Sequence, residues 1–199
     1  MILRKAIVFG VVGTCLFLTL LMSSASSRSQ SSGSLQWGVP VDGLQISISA
    51  ADSQNLDVPE FQVALRNAGK QDVTLNLGLM LANGKVQLPQ NISLSVTDAS
   101  GKTRKLKFFD RRYPAIAGRV DDYVVPLRAG SSYTLKLSLD QFWSPSTKEF
   151  ELSSSPRSYQ ISAQFDGSGA KTGNLDVPGI KLMNFWLGNV QSNIIIVER

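Results

Sequence analysis

The feature that most limits what this chain can fold into is an alternation of apolar and polar residues with a period of two, running from Leu44 almost to the end. In LQISISA it puts Leu44, Ile46 and Ile48 on one side; in EFQVALRN, Phe61, Val63 and Leu65; in DVTLNLG, Val73, Leu75 and Leu77. Successive side chains of an extended chain point to opposite faces, so each segment reads as a strand with one face buried. The pattern recurs in NISLSVTD, RKLKFF, DYVVPL, SYTLKLSL, SYQISAQF and SNIIIVE, which makes about nine strands. Turn signals separate them, among them Asn67-Ala68-Gly69-Lys70, Asn83-Gly84 and Ala99-Ser100-Gly101-Lys102. Helical periodicity is confined to the first segment, apart from a short turn expected near residues 139–143. Short strands with polar turns and no intervening helices predict an all-β fold, an antiparallel immunoglobulin-like β-sandwich over residues 35–199. Its inward set should include Phe61, Val63, Leu65, Leu75, Leu94, Leu135, Leu137, Ile161 and Phe165.

The chain of 199 residues is 43% hydrophobic and 18% charged, enough apolar material for one core and too little charge for a disordered chain. Ahead of that core, Arg4-Lys5 precedes an uncharged, mostly apolar run from Ala6 to Met22, and Ser23-Ser24-Ala25 supplies small residues suited to a leader peptidase. Residues 1–25 therefore read as an N-terminal hydrophobic helix, either a signal peptide cleaved after Ala25 or an uncleaved anchor. Residues 26–34 form a Ser-rich linker. The expected location is secreted or periplasmic, with membrane contact only through the first segment if it is retained.

Removing Arg4, Lys5 and Arg28 from the 20 basic residues leaves 17 against 15 acidic ones, a net charge of +2 in place of +5. Nothing in so balanced a body asks for nucleic acid. Cys15, within the apolar run, is the one cysteine, and histidine is absent. Without those residue types, Ser-His-Asp and Cys-His catalysis, thiol chemistry and ordinary zinc sites are excluded. No cofactor and no enzymatic activity are expected.

Two stretches carry a family likeness. FQVALRNAGKQDVTLNLG, with Phe61, Asn67, Gly69 and Val73, resembles the strand-turn-strand opening of exported bacterial immunoglobulin-like modules. VPLRAGSSYTLKLSL is similar to a later step of the same modules, and FWLGNVQSNIIIV to the last strand of many secreted sandwiches. BsuPI-type proteinase-inhibitor domains and CARDB-type domains are those it most resembles. The resemblance covers about a third of the body at the level of the superfold, and it implies a fold rather than an activity.

Several motifs have plain readings. DASGKT ends like a phosphate-binding loop, but the required first glycine falls on Val96 and a strand follows where a helix would be needed, so a hairpin turn built on Asp98 and Gly101 is expected. Asp166 to Asp176 offers oxygens at short spacing, yet Ala170 and Lys171 occupy ligand positions; a Gly-rich loop is favoured over a calcium site. Asn91-Ile92-Ser93 is a glycosylation sequon that has meaning only in a eukaryotic secretory pathway. Of Trp37, Trp143 and Trp186, at least two should plug the core, with Trp143 the best placed to meet a ligand.

The oddest stretch is FFDRRYPAIAGRVDDYVVPL, residues 108–127, in which Asp110, Arg111, Arg112, Arg119, Asp121 and Asp122 surround an apolar centre at Ile116. If the preceding strand ends at Phe108-Phe109 and the next starts at Tyr123, the connection is longer than a hairpin, and long loops at a sandwich end are where such folds place binding. The bare apolar tip favours a partner, while the mutually neutralising charges suit a solvated loop. Arg111, Arg112, Ile116, Arg119 and Trp143 are the candidate partner-binding residues, with Arg119 alternatively a clasp on the Asp121-Asp122 pair. Adjacent carboxylates point to opposite sides of a strand, which makes that pair a poor catalytic dyad. The expected function is a non-catalytic exported binding or scaffolding module of the cell envelope, taking a protein or an envelope glycan. A proteinase inhibitor acting through an exposed loop is the alternative.

Overall fold

The structure, a computed structural model, describes residues 35–51, 58–109, 118–144, 158–170 and 183–198. The predicted leader and linker, and the candidates Arg111, Arg112 and Ile116, lie outside these residues. Among the described residues no helix is long and apolar enough to cross a membrane.

The fold is all-β and its strand ladders are antiparallel. In chain order the strands are β1 (Leu44–Ala50), β2 (Glu60–Asn67), β3 (Val73–Leu81), β4 (Val86–Leu88), β5 (Ile92–Thr97), β6 (Thr103–Phe108), β7 (Val120–Leu127), β8 (Ser132–Ser138), β9 (Phe142–Trp143), β10 (Ser158–Asp166) and β11 (Asn189–Glu198). They form three sheets, β1-β2-β8, β4-β3-β7 and β11-β10-β5-β6-β9. One hydrophobic core draws on all three. All nine residues assigned inward by the alternation are buried.

Among the described residues there are two strands more than the nine expected. β4 and β9 have three and two residues, too short to display a period. The short turn near 139–143 is a single 3-10 turn over Leu139–Gln141, framed by a Ser138 N–H bond to Gln141 Oε1 of 2.9 Å. It reverses the chain so that β9 returns alongside the end of β6. β3 continues past Leu77 through an irregularity between Asn76 and Leu79. Gly78 makes this possible, with φ at 144° and no room for a Cβ, which would come within 2.3 Å of the Leu88 carbonyl oxygen.

Sheet edges are closed by side chains as much as by ladders. Asn193 on β11 accepts a bond from the Ile48 N–H (2.8 Å) and donates one to the Ile48 carbonyl (2.9 Å), so one amide joins the edge of the five-stranded sheet to β1. Asn67, fully buried, donates to the Gln71 and Leu127 carbonyls and accepts from the Gly69 N–H, tying the β2–β3 turn to the end of β7.

Candidate functional site

Sequence reasoning pointed to the connection between β6 and β7, and the strands now define its roots. The connection is shorter than the sequence suggested, because β7 begins at Val120, not Tyr123. The charged run Arg119-Val120-Asp121-Asp122 hides the alternation there, since Asp122 is buried although it lies on the face opposite Tyr123 and Val125.

At the first root, β6 turns Phe108 into the core, where it meets Phe142 edge to face at 5.5 Å. Phe109 donates its N–H to the Gln141 carbonyl at 2.7 Å, which carries the pairing one residue beyond the ladder. Its ring, 43% exposed, tilts against half-buried Trp143 at 6.4 Å. Trp143 is the register partner of Lys107. The aromatic pair thus flanks the point where the chain leaves the sheet. At the second root, Gly118 takes a φ of 97° in open space, and Arg119 Nε donates to Asp121 Oδ1 at 2.9 Å. Both groups are solvent-accessible, so this clasp is a weak one.

A polar network that sequence reasoning missed lies behind the second root. Asn76 Nδ2 donates to Asp122 Oδ1 (2.9 Å) and to the Gly169 carbonyl (2.8 Å), while its Oδ1 accepts the Gly78 N–H (3.0 Å). Asn91 Nδ2 donates to the Asn76 carbonyl (2.7 Å) and to Ser168 Oγ (3.2 Å). These bonds hold the residues after β10 against β3 and β7. Asp121 and Asp122 diverge, as adjacent strand residues must, and buried Asp122 is bonded to an amide; the pair has no geometry for acid–base chemistry. Asn91 of the sequon turns its amide nitrogen into this network.

The beginning of the Asp166–Asp176 stretch is also accounted for by protein groups. Asp166 accepts from Gln164 Nε2 (2.9 Å) and from Asn189 Nδ2, with Lys105 Nζ at 3.8 Å. Among the described residues no group of three or more His, Cys, Asp or Glu is placed to hold a metal ion. Residues 171–176 lie outside the description.

In DASGKT, Asp98 Oδ1 accepts the N–H groups of Ser100 and Lys102, and Gly101 takes a φ of 81°. This is the hairpin turn the sequence predicted. The Ser100 hydroxyl above all, with the Lys102 N–H, holds the Asp98 carboxyl below its ordinary range.

The tryptophans depart from expectation, for only Trp186 is buried. It stacks on Phe165 at 5.6 Å, and its indole N–H has no partner. Trp37 is half-buried beneath Arg66, whose guanidinium carbon stands 4.4 Å from the ring centre. At the opposite end of β3 from Leu81, an open groove of about 580 Å³ runs past Gly43, Asn67, Lys70, Phe185 and Trp186. No sequence motif marked it.

No family model matches the chain. No curated protein matches it either. Among solved structures, the X-ray structure of Northeast Structural Genomics Consortium target SoR45 is similar to it, at a TM-score of 0.36 and 13% identity over 79% of this chain and 87% of that one.

Proposed function

We propose that this chain is a non-catalytic binding or scaffolding module exported to the cell envelope, built as an immunoglobulin-like sandwich, and that it captures a partner through the end from which the 110–117 connection leaves. One observation carries the reading: the first root of that connection is tied to the strand framework by the Phe109 N–H bond to Gln141, beside the Phe109–Trp143 aromatic pair. A rigid base under a variable loop is how all-β folds present recognition surfaces. Arg111, Arg112 and Ile116 belong to the same connection in sequence and would supply charge around an apolar centre.

A pull-down from envelope extract is the test. The expected result is capture of a partner that is weakened in Ile116→Ser and Arg112→Ala, with melting temperature unchanged in both. Capture indifferent to both substitutions would return the stretch to a solvated loop. Mass spectrometry of protein from the native host, with a mature N-terminus near Ser26 or an intact Met1 retained at the membrane, tests export.

The pinned first root also favours a second reading, a proteinase inhibitor, because an inhibitory loop must resist rearrangement in an enzyme cleft. Stoichiometric inhibition of one member of a protease panel would support it, and slow cleavage by all of them would discard it.

A further inference from the structure

Next to the Phe109–Trp143 pair that borders the loop end, the outward face of the five-stranded sheet carries two lysines and a row of hydroxyls that the loop end does not use. On β5 the residues opposite the core side are Ser93, Ser95 and Thr97. Ser93 lies between Lys107 of β6 and Gln164 of β10, and Ser95 between Lys105 and Ser162. Along the middle of the face hydroxyls and amides therefore stand in register with two ammonium groups, with Ser93 and Ser162 buried between them. Lys107 has no acidic partner among the described residues, and Lys105 donates to Gln164 Oε1 at 3.1 Å and reaches half-exposed Asp166 at 3.8 Å. Next to Lys107 in the sheet stands Trp143, against the exposed ring of Phe109. Ser93, 6% exposed and turned to this face, has a hydroxyl without a hydrogen-bond partner.

These groups match a sugar ring that carries an acid. An aromatic ring accepts the C–H face of a pyranose, amides and hydroxyls exchange bonds with its hydroxyls, and the lysines meet its carboxylate. A peptide is a poorer fit. β5 and β10 are paired on both edges and have no free ladder to offer a strand added over the middle of this face. Nucleic acid is disfavoured by the near-balanced charge of the body.

We propose that the outward face of β5, β6 and β10 binds an acidic polysaccharide, with Lys105 and Lys107 receiving its carboxylates and Trp143 with Phe109 receiving a sugar ring. The proposal rests on the protein being a binding module; it shares the Phe109–Trp143 pair with the end from which the 110–117 connection leaves, and Lys105 and Lys107 are what set the two surfaces apart.

Native electrophoresis of the full chain through gels containing polygalacturonate, or neutral dextran as control, tests it. Retardation by polygalacturonate and not by dextran is expected. The double variant Lys105→Gln/Lys107→Gln, exposed at both positions, should weaken apparent affinity about tenfold with an unchanged melting temperature. Phe109→Ala, also exposed, should weaken it as well, and Trp143→Ala is read only where its melting temperature shows it folded. Absence of retardation, or equal retardation of the double variant, overturns the proposal. So does displacement by polyglutamate or by an oligonucleotide as effective as displacement by oligogalacturonate, since charge alone would then suffice. The pull-down with Ile116→Ser is a separate measurement, so recognition by the connection can stand while this face fails, and the reverse.

Discussion

At Asn67 a single side-chain amide serves main-chain groups of two different turns, the Gly69 N–H on one side and the Gln71 and Leu127 carbonyls on the other. Replacing it with alanine leaves the Leu127 carbonyl without that donor in a buried place, where an unmet polar group costs about 1–3 kcal/mol in addition to the lost bonds. Asn67→Ala should therefore lower stability by about 2–4 kcal/mol in urea unfolding, with the slope against denaturant unchanged. Tyr123 gives a second residue-scale prediction. Its hydroxyl lies between Tyr133 (2.7 Å) and Gln87 (2.9 Å), and burial, reinforced by Tyr133, raises its pKa well above the ordinary phenol value of 10.0. The native state thus holds this proton more tightly than the unfolded chain does. The associated stability is complete below pH 10 and declines as pH rises above it. Ultraviolet titration should show one phenol ionising late, and Tyr123→Phe should flatten the fall of melting temperature on the alkaline side.

Among the strands, position in a sheet decides how much a core truncation costs. Leu94 is on β5, the middle strand of five, and Leu135 on β8, the edge of the three-stranded sheet, yet both are buried. A cavity walled by ladders on both sides collapses less than one at an edge, so Leu94→Ala should cost about 4–5 kcal/mol and Leu135→Ala about 2–3, compared by chemical denaturation. The period of two made these positions legible from the sequence, because an alternating strand has only one way to hide its apolar side. It could not reveal β4 or β9, which are held by neighbours and have no pattern of their own. It misplaced the start of β7 because both Asp121 and Asp122 are polar there, and the burial of Asp122 is met by the Asn76 amide from another strand. Trp37 was misread for a similar reason: its ring is covered by Arg66, a long charged side chain from β2. Of the candidate site, the long connection and Trp143 were visible as an oddity of composition and length. The amide network of Asn76 and Asn91 was not, since which carbonyls an asparagine meets is set by the packing of strands far apart in sequence.

Across the whole molecule, contacts between distant parts of the chain dominate, β1 lying beside β11 and β2 pairing with β8. Loop closure of that kind is entropically costly before its contacts form, so refolding from denaturant should take milliseconds to seconds by stopped-flow fluorescence; a microsecond phase carrying the whole amplitude would contradict this. Asn193 is 145 residues from the main-chain groups of Ile48 that it bonds. Whether the chain leaves a ribosome or threads a narrow pore, its amino end emerges first, and β1 then waits with one edge unmatched until nearly all the remaining strands have followed. The far edge of β1 is thus completed only when β11 arrives beside it, although its other edge can pair with β2 as soon as that strand has been made.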